Sequence, residues 1–489
     1  MSALQAQRKR TVCSSTFWGL IALLFSVQSP VAFASTGAGV SQNVTWLFAA
    51  VLILMVLCLA FEETLHAKKS LITGLFAVLS LLLATYFDLL PFGPVVNAFG
   101  ESISLPVYIP AVDWEVIAII VGASLFVDVT SRSGLFSFIA VRLTKLSKGD
   151  PRKLLWLYGL LTVLFSALLN NVTAMIIIGS LTAVSLERLG RTSLLLGFLI
   201  TEGLLTNIGG LLTLISSVPN IIIGNLAGIT FVEFFLIAAP YVVVATASTL
   251  VLAAHVFEVQ GLKDPKDIED AYRQVEKFDE REGIPSPLFF NYSILLFVLL
   301  IGAFSLQSVL PLIDRLGMGY VALLFAMIAL IRFRHDVDAF YRGIDWDLII
   351  FFMTLFMVIN VMEHAQVLHM IGGWIAWLLA LGDQTGGTAL LWASATASSV
   401  TDNIPLAAML GKILAGMGLS SDATVWWSVI FGANLGGNIT PIGSASTVVA
   451  VTLIHKYRIQ LSFIGFVTKA FAFAFLQLVL ASIYLLLIH

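Results

Sequence analysis

Apolar residues recur along this chain in blocks of roughly twenty, the length an α-helix needs to cross a ~30 Å hydrocarbon core. The blocks lack the strict alternation of a lipid-facing barrel strand, so they read as helices. Only 11% of the residues are charged, against 59% hydrophobic, where a soluble globular chain carries roughly 25% charged. So few charges cannot cover a water-facing surface, and most of this one must face lipid. The net charge of −3 comes with no basic domain, which gives nucleic acid no place to bind. The two cysteines, Cys13 and Cys58, lie in apolar segments and suggest neither a disulfide framework nor a thiolate metal site.

Residues 1–34 read as a secretory signal peptide. Arg8, Lys9 and Arg10 precede the apolar run Phe17 to Phe25, and Ala32-Phe33-Ala34 supplies a small-x-small cleavage site before Ser35. An uncleaved first helix is the other reading. Ten spans are expected after it. Five lie at 45–62, 70–93, 114–138, 192–229 and 231–257, and five at 288–311, 316–333, 346–367, 424–454 and 460–487. The polar linker 258–287 separates a first repeat, 43–257, from a second, 288–489. Two further apolar stretches, 153–186 and 388–416, each break in the middle.

Lysine and arginine placement orients these spans. Lys68, Lys69, Arg142, Lys145, Lys148, Arg152, Lys153, Arg188, Arg191, Arg332, Arg334, Arg342, Lys456 and Arg458 are expected on the cytoplasmic side. The loops 94–112 and 312–315, nearly free of basic residues, are expected outside, as are the mature N-terminus and the C-terminus. The stretch 153–186 then has basic residues at both ends and must enter and leave from the cytoplasm, as a re-entrant hairpin. The stretch 388–416 is its match from outside. Backbone breaks at such depth are tolerated only where protein or a water-filled cavity satisfies them.

The two halves resemble each other. Asp113-Trp114-Glu115 opens one helix and Asp345-Trp346-Asp347 another, at an offset of 232 (345 − 113 = 232). Asn170-Asn171 and Asp402-Asn403 break the hairpins at the same offset. Asn207-Ile208-Gly209-Gly210 with Thr213, Ile215 and Ser217 matches Asn434-Leu435-Gly436-Gly437 with Thr440, Ile442 and Ser444. The charge pattern turns corresponding helices in opposite directions. The expected fold class is therefore an all-α membrane protein, with about ten transmembrane helices in two inverted repeats, each with a re-entrant hairpin and an unwound helix. Transporters built this way place their substrate near the bilayer midplane, among interrupted helices of both halves.

The matched motifs carry the chemistry such a site needs. Glycine pairs permit backbone unwinding. Freed carbonyls are hard ligands for a small cation, and half-helix N-termini favour anions. Asn207, Gly209, Gly210, Thr213 and Asn220 are read with Asn434, Gly436, Gly437, Asn438, Thr440 and Ser444 as a paired ion and substrate cradle. Close helix packing by small residues is the competing reading. The tips Asn170, Asn171, Thr173, Asp402 and Asn403 would meet the cradle from opposite sides, or merely cap backbone amides. Intramembrane carboxylates are functional candidates, which singles out Asp402, Glu202 and Asp128 for proton coupling. Lys412 could supply a countercharge to Asp402 or snorkel outward, while Glu363 and His364 read as a solvated interfacial pair. No Walker motif, histidine-rich metal cluster or nucleophile constellation is present in the sequence, so no enzymatic role is expected.

These motifs are similar to those of the ion transporter superfamily, in the arsenite-permease, P-protein and NhaD-type branch with its citrate-transporter-like domain. The resembling residues are Asn170-Asn171-Val172-Thr173, Glu202 with Thr206-Asn207-Ile208-Gly209-Gly210, Pro219-Asn220-Ile221-Ile222-Ile223-Gly224, Asp402-Asn403-Ile404-Pro405, and Gly432-Ala433-Asn434-Leu435-Gly436-Gly437-Asn438 through Gly443. The resemblance covers roughly Asn43 to the C-terminus. It implies inverted repeats, two hairpins and a homodimer moving substrate by an elevator-like motion. The expected function is a secondary transporter exchanging protons for a cation, sodium first. Efflux of arsenite or another oxyacid is the alternative. Sodium-coupled carboxylate import ranks last, because Asp402 would repel a dicarboxylate. No cofactor is expected; sodium at Asn207, Thr213, Asn434 and Thr440 is the one bound ion considered. The partners are the lipid bilayer of a bacterial cytoplasmic membrane, a small ion or anion, and a second copy of the chain.

Overall fold

Polar caps decide where the apolar blocks become helices. Asp113 accepts hydrogen bonds from the Glu115 and Val116 amides and starts a helix at Trp114. Asp345 accepts from the Leu348 amide and starts its counterpart at Trp346. Such caps satisfy first-turn donors that have no partner within the helix and that hydrocarbon cannot serve.

The structure is a computed structural model that describes residues 40–488, apart from 97, 98 and 308. The signal-peptide reading and Cys13 fall outside these residues. The longer helices of the first half are α1 (Gln42–Ala60), α2 (Lys69–Tyr86), α3 (Trp114–Ser131), α4 (Leu135–Ser147), α5 (Pro151–Leu168), α6 (Asn171–Arg188), α7 (Leu195–Gly209), α8 (Val218–Ala227) and α9 (Phe231–Val256). A charged helix, α10 (Pro265–Glu276), follows. The second half holds α11 (Pro287–Ser305), α12 (Pro311–Leu330), α13 (Trp346–His364), α14 (Val367–Leu379), α15 (Asp383–Val400), α16 (Asn403–Gly416), α17 (Thr424–Gly436), α18 (Ala445–Lys456) and α19 (Phe463–Leu487). A small antiparallel ribbon, β1 (Val95–Val96) with β2 (Ser102–Ile103), decorates the loop after α2.

The second set of nine helices repeats the first in order, and the packing is reciprocal. Helix α3 lies along α12 and α2 along α13; α5 packs on α7 and α15 on α17; α6 packs on α18 and α8 on α16. Each contact has its counterpart with the halves exchanged. The α3–α12 crossing is tight at Gly122, where a Cβ would stand 2.7 Å from the Leu323 amide nitrogen. At the matching crossing Thr354 meets Thr73 through a 2.7 Å hydrogen bond. Even the acidic residues one past each Trp act alike. Glu115 accepts from the Met318 amide at 2.9 Å, just after a left-handed Gly317 breaks α12, and Asp347 accepts from the Ser70 hydroxyl near the start of α2.

Among the described residues nine helices are long and apolar enough to cross a bilayer. The tenth expected span, 424–454, is cut at 437–444 into α17 and α18, each too short alone. The expected span 114–138 also needs correction. Ser131 and Ser133 hydroxyls turn back onto the Asp128 and Thr130 carbonyls, Gly134 adopts φ 80°, and α4 departs as a separate helix. The span Thr192–Gly209, which contains α7, is the most enclosed, with 78% of its residues buried against 28% for α2. The polar motif at its end therefore occupies the centre of the protein, with lipid-facing helices outside it.

Candidate functional site

Helix α7 stops at Gly209 and the chain resumes a helix at Val218; α17 stops at Gly436 and resumes at Ala445. These two unwound segments clasp each other. Asn207 Nδ2 donates to Ser444 Oγ at 2.9 Å, and Ser217 Oγ donates to Asn434 Oδ1 at 2.7 Å. The two bonds are one contact repeated with the halves exchanged. Asn207 also donates to Asn438 Oδ1 (2.8 Å) and accepts from Asn171 Nδ2 (3.3 Å) and Ser446 Oγ (3.2 Å). Asn434 Nδ2 donates to Asn220 Oδ1 at 2.9 Å. Asn438 Nδ2 donates to Gln477 Oε1 on α19 at 2.7 Å. All of these side chains are buried except Asn171, which is partly so. The cradle asparagines thus spend nearly all their hydrogen-bonding capacity on one another, on neighbouring serines and Gln477, and on backbone carbonyls such as Ile430 O and Leu204 O, bracing the two repeats together.

The glycine pairs lie where the two helices unwind, and they also show the close packing of the competing reading. Gly209, Gly210, Gly436 and Gly437 do not adopt positive φ. They let the hairpins approach. A Cβ on Gly209 would meet the Val163 carbonyl at 2.6 Å, and one on Gly210 would meet Asn171 Oδ1 at 2.6 Å. The carbonyls released by unwinding are also largely taken, since Gly210 O and Thr213 O each accept from both Ser216 Oγ and Asn220 Nδ2. Backbone at Val163 cannot yield as a side chain can, so Gly209→Ala is expected to destabilise the protein by about 1–3 kcal/mol. Thermal unfolding in detergent checks this; an unchanged midpoint would remove the close-approach explanation.

The hairpin tips lie over this brace. Asn170 caps α6 through the Thr173 amide (2.8 Å) and is exposed. Asp402 caps α16 through the Ile404 amide (3.1 Å). Asn171 accepts from Ser166 Oγ at 2.7 Å. Its counterpart Asn403 is buried, and its side-chain amide makes no hydrogen bond among the described residues. Thr213 and Thr440 hydroxyls donate to Ala167 O and Ser399 O, just before each tip. What stays available to a ligand is therefore the Asn403 amide, the second N–H of Asn171, the lone pairs of Thr213 and Thr440, and Asp402.

Asp402 is not bare. Its Oδ2 lies 2.5 Å from Lys69 Nζ, the first residue of α2, with the Glu62 carboxylate 3.9 Å from the same ammonium. Asp347 is nearby through Ser70. The cluster borders an open cavity of about 350 Å³ lined by Glu62, His66, Ala67, Lys68, Lys69 and Asp347. Of the two readings of Lys412, countercharge to Asp402 or outward snorkelling, the first is not met: its ammonium lies 3.6 Å from Glu363 with the side chain 40% exposed. The other two carboxylates stand apart from the cradle. Asp128 sits 3.5 Å from Arg132 with a half-exposed side chain, and Glu202, on α7 below Asn207, is buried and accepts from Thr182 of α6. Among the described residues no group of three or more His, Cys, Asp or Glu side chains is placed to hold a metal ion.

Sequence reasoning missed Lys69 and Gln477. Gln477 could have been found as a lone amide in an otherwise apolar stretch of α19. Lys69 carried only a topological signal, because its partner lies 333 residues away.

Two inverted repeats, paired hairpins and a braced, interrupted centre define an integral membrane protein of the secondary transporter class. The family profile described as Citrate transporter matches residues 56–432, and the chain belongs to that family. It is similar to a 46 kDa membrane protein of Mycobacterium leprae, at 30% identity over 385 residues, 76% of this chain and 86% of that protein. It is also similar to the P protein of Mus musculus, at 26% identity over 470 residues, 80% of this chain and 56% of that one. Its fold is similar to that of the YdaH transporter of Alcanivorax borkumensis, with a TM-score of 0.58 at 14% identity, covering 86% of this chain and 97% of that one.

Proposed function

We propose that this transporter exchanges protons for a small cation, sodium first, at a site formed by the hairpin tips. The observation that carries this reading is the carboxylate of Asp402, set at a tip and already matched by a cation, the Lys69 ammonium at 2.5 Å. A transported cation or a proton would take the place of that ammonium, with the Asn403 amide oxygen, Asn171, Thr213 and Thr440 completing the surroundings. The asymmetry of the tips supports an alternating cycle. Asp402 engages the start of α2, whereas its counterpart Asn170 is exposed; exchanging the roles of the halves produces the opposite state, as inverted repeats allow. On the orientation set by the basic residues, Lys69 is cytoplasmic and the engaged state is the inward one. The cytoplasmic membrane of a bacterium, with a second copy of the chain as partner, is the setting this reading adopts.

Proteoliposomes loaded with a pH-sensitive dye test the proposal. Addition of sodium or lithium is expected to move protons, and Asp402→Asn to lower that flux by roughly 100-fold. No response to any alkali cation would sink it.

A second reading, transport of a carboxylate anion, draws on the family description and on Lys69. Ion pairing removes much of the repulsion that Asp402 alone would exert on an anion. Citrate in the same assay, and arsenite for the oxyacid alternative, distinguish these readings.

A further inference from the structure

The first hairpin, α5 with α6, is flanked by α4, and the α4–α5 side holds two cavities that the transport site does not use. The first, of about 670 Å³, opens at the basic face and is lined by Leu146, Arg152, Lys153, Trp156, Leu157 and Gly261. Asp150 also borders it, but that carboxylate is turned to backbone, accepting from the Lys153 and Leu262 amides at 2.9 Å each. The second cavity, of about 380 Å³, lies where Leu135 and Ile139 of α4, Leu164 and Leu168 of α5, and Phe297 and Ile301 of α11 face one another. Its lining is entirely apolar, so water finds no partners there. Phe136 of α4 floors it, edge-on to Phe165 of α5 (5.0 Å between ring centres) and to Phe297 (5.8 Å).

One stripe joins the two cavities. Lys153, Leu157, Leu160, Leu164 and Leu168 recur every three or four residues along α5 and so share a face. Lys153 and Leu168 are 15 positions apart (168 − 153 = 15), ~22 Å along a helix. That is half of the ~40–45 Å spanned by a bilayer with its headgroups, the depth of one leaflet. Charge sorts the basic residues at the base of the hairpin. Arg142 and Lys145, toward the linker, lie 3.0 and 3.6 Å from Glu280, and Arg191 lies 4.0 Å from Asp267. Arg152 and Lys153 are exposed and pair with no carboxylate among the described residues. The indole N–H of Trp156, in the same cavity, has no hydrogen-bond partner among those residues either.

Free cations and an N–H donor at the mouth, with hydrocarbon along one leaflet's depth, complement an anionic amphiphile. A guanidinium grips two phosphate oxygens at once, tryptophan favours the membrane interface, and basic pockets between membrane helices hold acidic lipid headgroups. A soluble anion would leave the stripe and the deep recess bare, and a neutral apolar molecule would leave the cations unmatched. We propose that the α4–α5 groove binds one anionic phospholipid of the leaflet on the basic side, cytoplasmic on the charge pattern. Its phosphate rests on Arg152 and Lys153, and one acyl chain follows Leu157, Leu160 and Leu164 into the recess against α11. The inference does not depend on which ion or solute is transported. The bound lipid stands between α11 and the arm that ends at Asn170-Asn171, and so ties one hairpin tip to the leaflet's composition.

The probe is phosphatidylglycerol with a photoreactive group at the end of one acyl chain. Full-length protein is reconstituted in phosphatidylcholine vesicles containing a small fraction of the probe, illuminated, digested and mapped by mass spectrometry. Label is expected on the segments from Leu164 to Leu168 and from Phe297 to Ile301. Arg152→Gln combined with Lys153→Gln should lower it by roughly 30-fold, from what two basic residues contribute near an anionic leaflet. Lys456→Gln combined with Arg458→Gln, an exposed basic pair elsewhere on the same side, should leave it unchanged. Three results overturn the proposal and leave the groove to bulk lipid: label spread evenly over the lipid-facing helices, an equal yield at these segments from a phosphatidylcholine analogue, or an equal loss in both double variants. Displacement of the label by excess inorganic phosphate overturns it in favour of a soluble anion. The map is read first on the wild type, so the placement is decided even where a variant fails to fold.

Discussion

Asn207→Ala is expected to lower the unfolding free energy in detergent by roughly 2–6 kcal/mol, at about 1–3 kcal/mol for each of two groups left without a partner. The side chain serves four neighbours, Asn438, Ser444, Asn171 and Ser446. Ser444 has Ser446 and Thr447 within 3.1 Å as substitutes; Asn438 and Asn171 have no equal replacement. Asn434→Ala removes the counterpart contact and should act in the same direction. Because both residues belong to one clasp, the double variant should cost less than the two single costs added. Chemical denaturation of the purified protein reads all three. A loss under about 1 kcal/mol for Asn207→Ala would mean that the repeats are held together chiefly by packing.

Lys69→Gln is expected to lower the half-saturating sodium concentration about tenfold, equivalent to about 1.4 kcal/mol. On the cation-exchange reading the ammonium competes with the transported cation for Asp402, and a tethered charge at contact distance is a strong competitor even where the effective dielectric is high. Carboxylate transport predicts the opposite sign, because loss of Lys69 exposes an arriving anion to Asp402 and should weaken its binding by tenfold or more. Concentration dependence of flux in proteoliposomes, with sodium and with citrate, therefore separates the two readings with a single substitution. An effect on neither would take the pair out of the site.

The architecture was legible in the sequence because a bilayer enforces it. Segment lengths, basic flanks and the recurrence of Asp-Trp-acid, Asn-Asn and Asn-x-Gly-Gly are local features. Hydrocarbon leaves few structures that could carry them. The division of labour inside the site was not legible. Asn207 and Asn434 read as ligand groups because amides in apolar helices look alike whether they face a ligand or one another. Only the distances between residues some 230 positions apart show that they brace the two repeats. Gly209 and Gly210 left two readings open for a related reason, since a glycine that permits unwinding and one needed for a neighbour's backbone are the same letter. For Asp402 the sequence offers Lys412 as a candidate countercharge, because nothing in a linear pattern places Lys69 beside it.

The reciprocal crossing of α2 with α13 and α3 with α12 also governs how the protein is born. When α3 leaves the ribosome its partner does not yet exist. It must wait in the translocon or the lipid until the segment from Pro311 on has been made, roughly 10–40 s at about 5–20 residues per second. The same holds in turn for α2 and the chain beyond Trp346. For that interval Gly122 and Thr73 present unfilled notches to the membrane, and a second nascent chain could supply the missing helix. Crowded synthesis should therefore yield exchanged-helix assemblies, and agents that slow translation between the two halves should lengthen the exposure and increase their number.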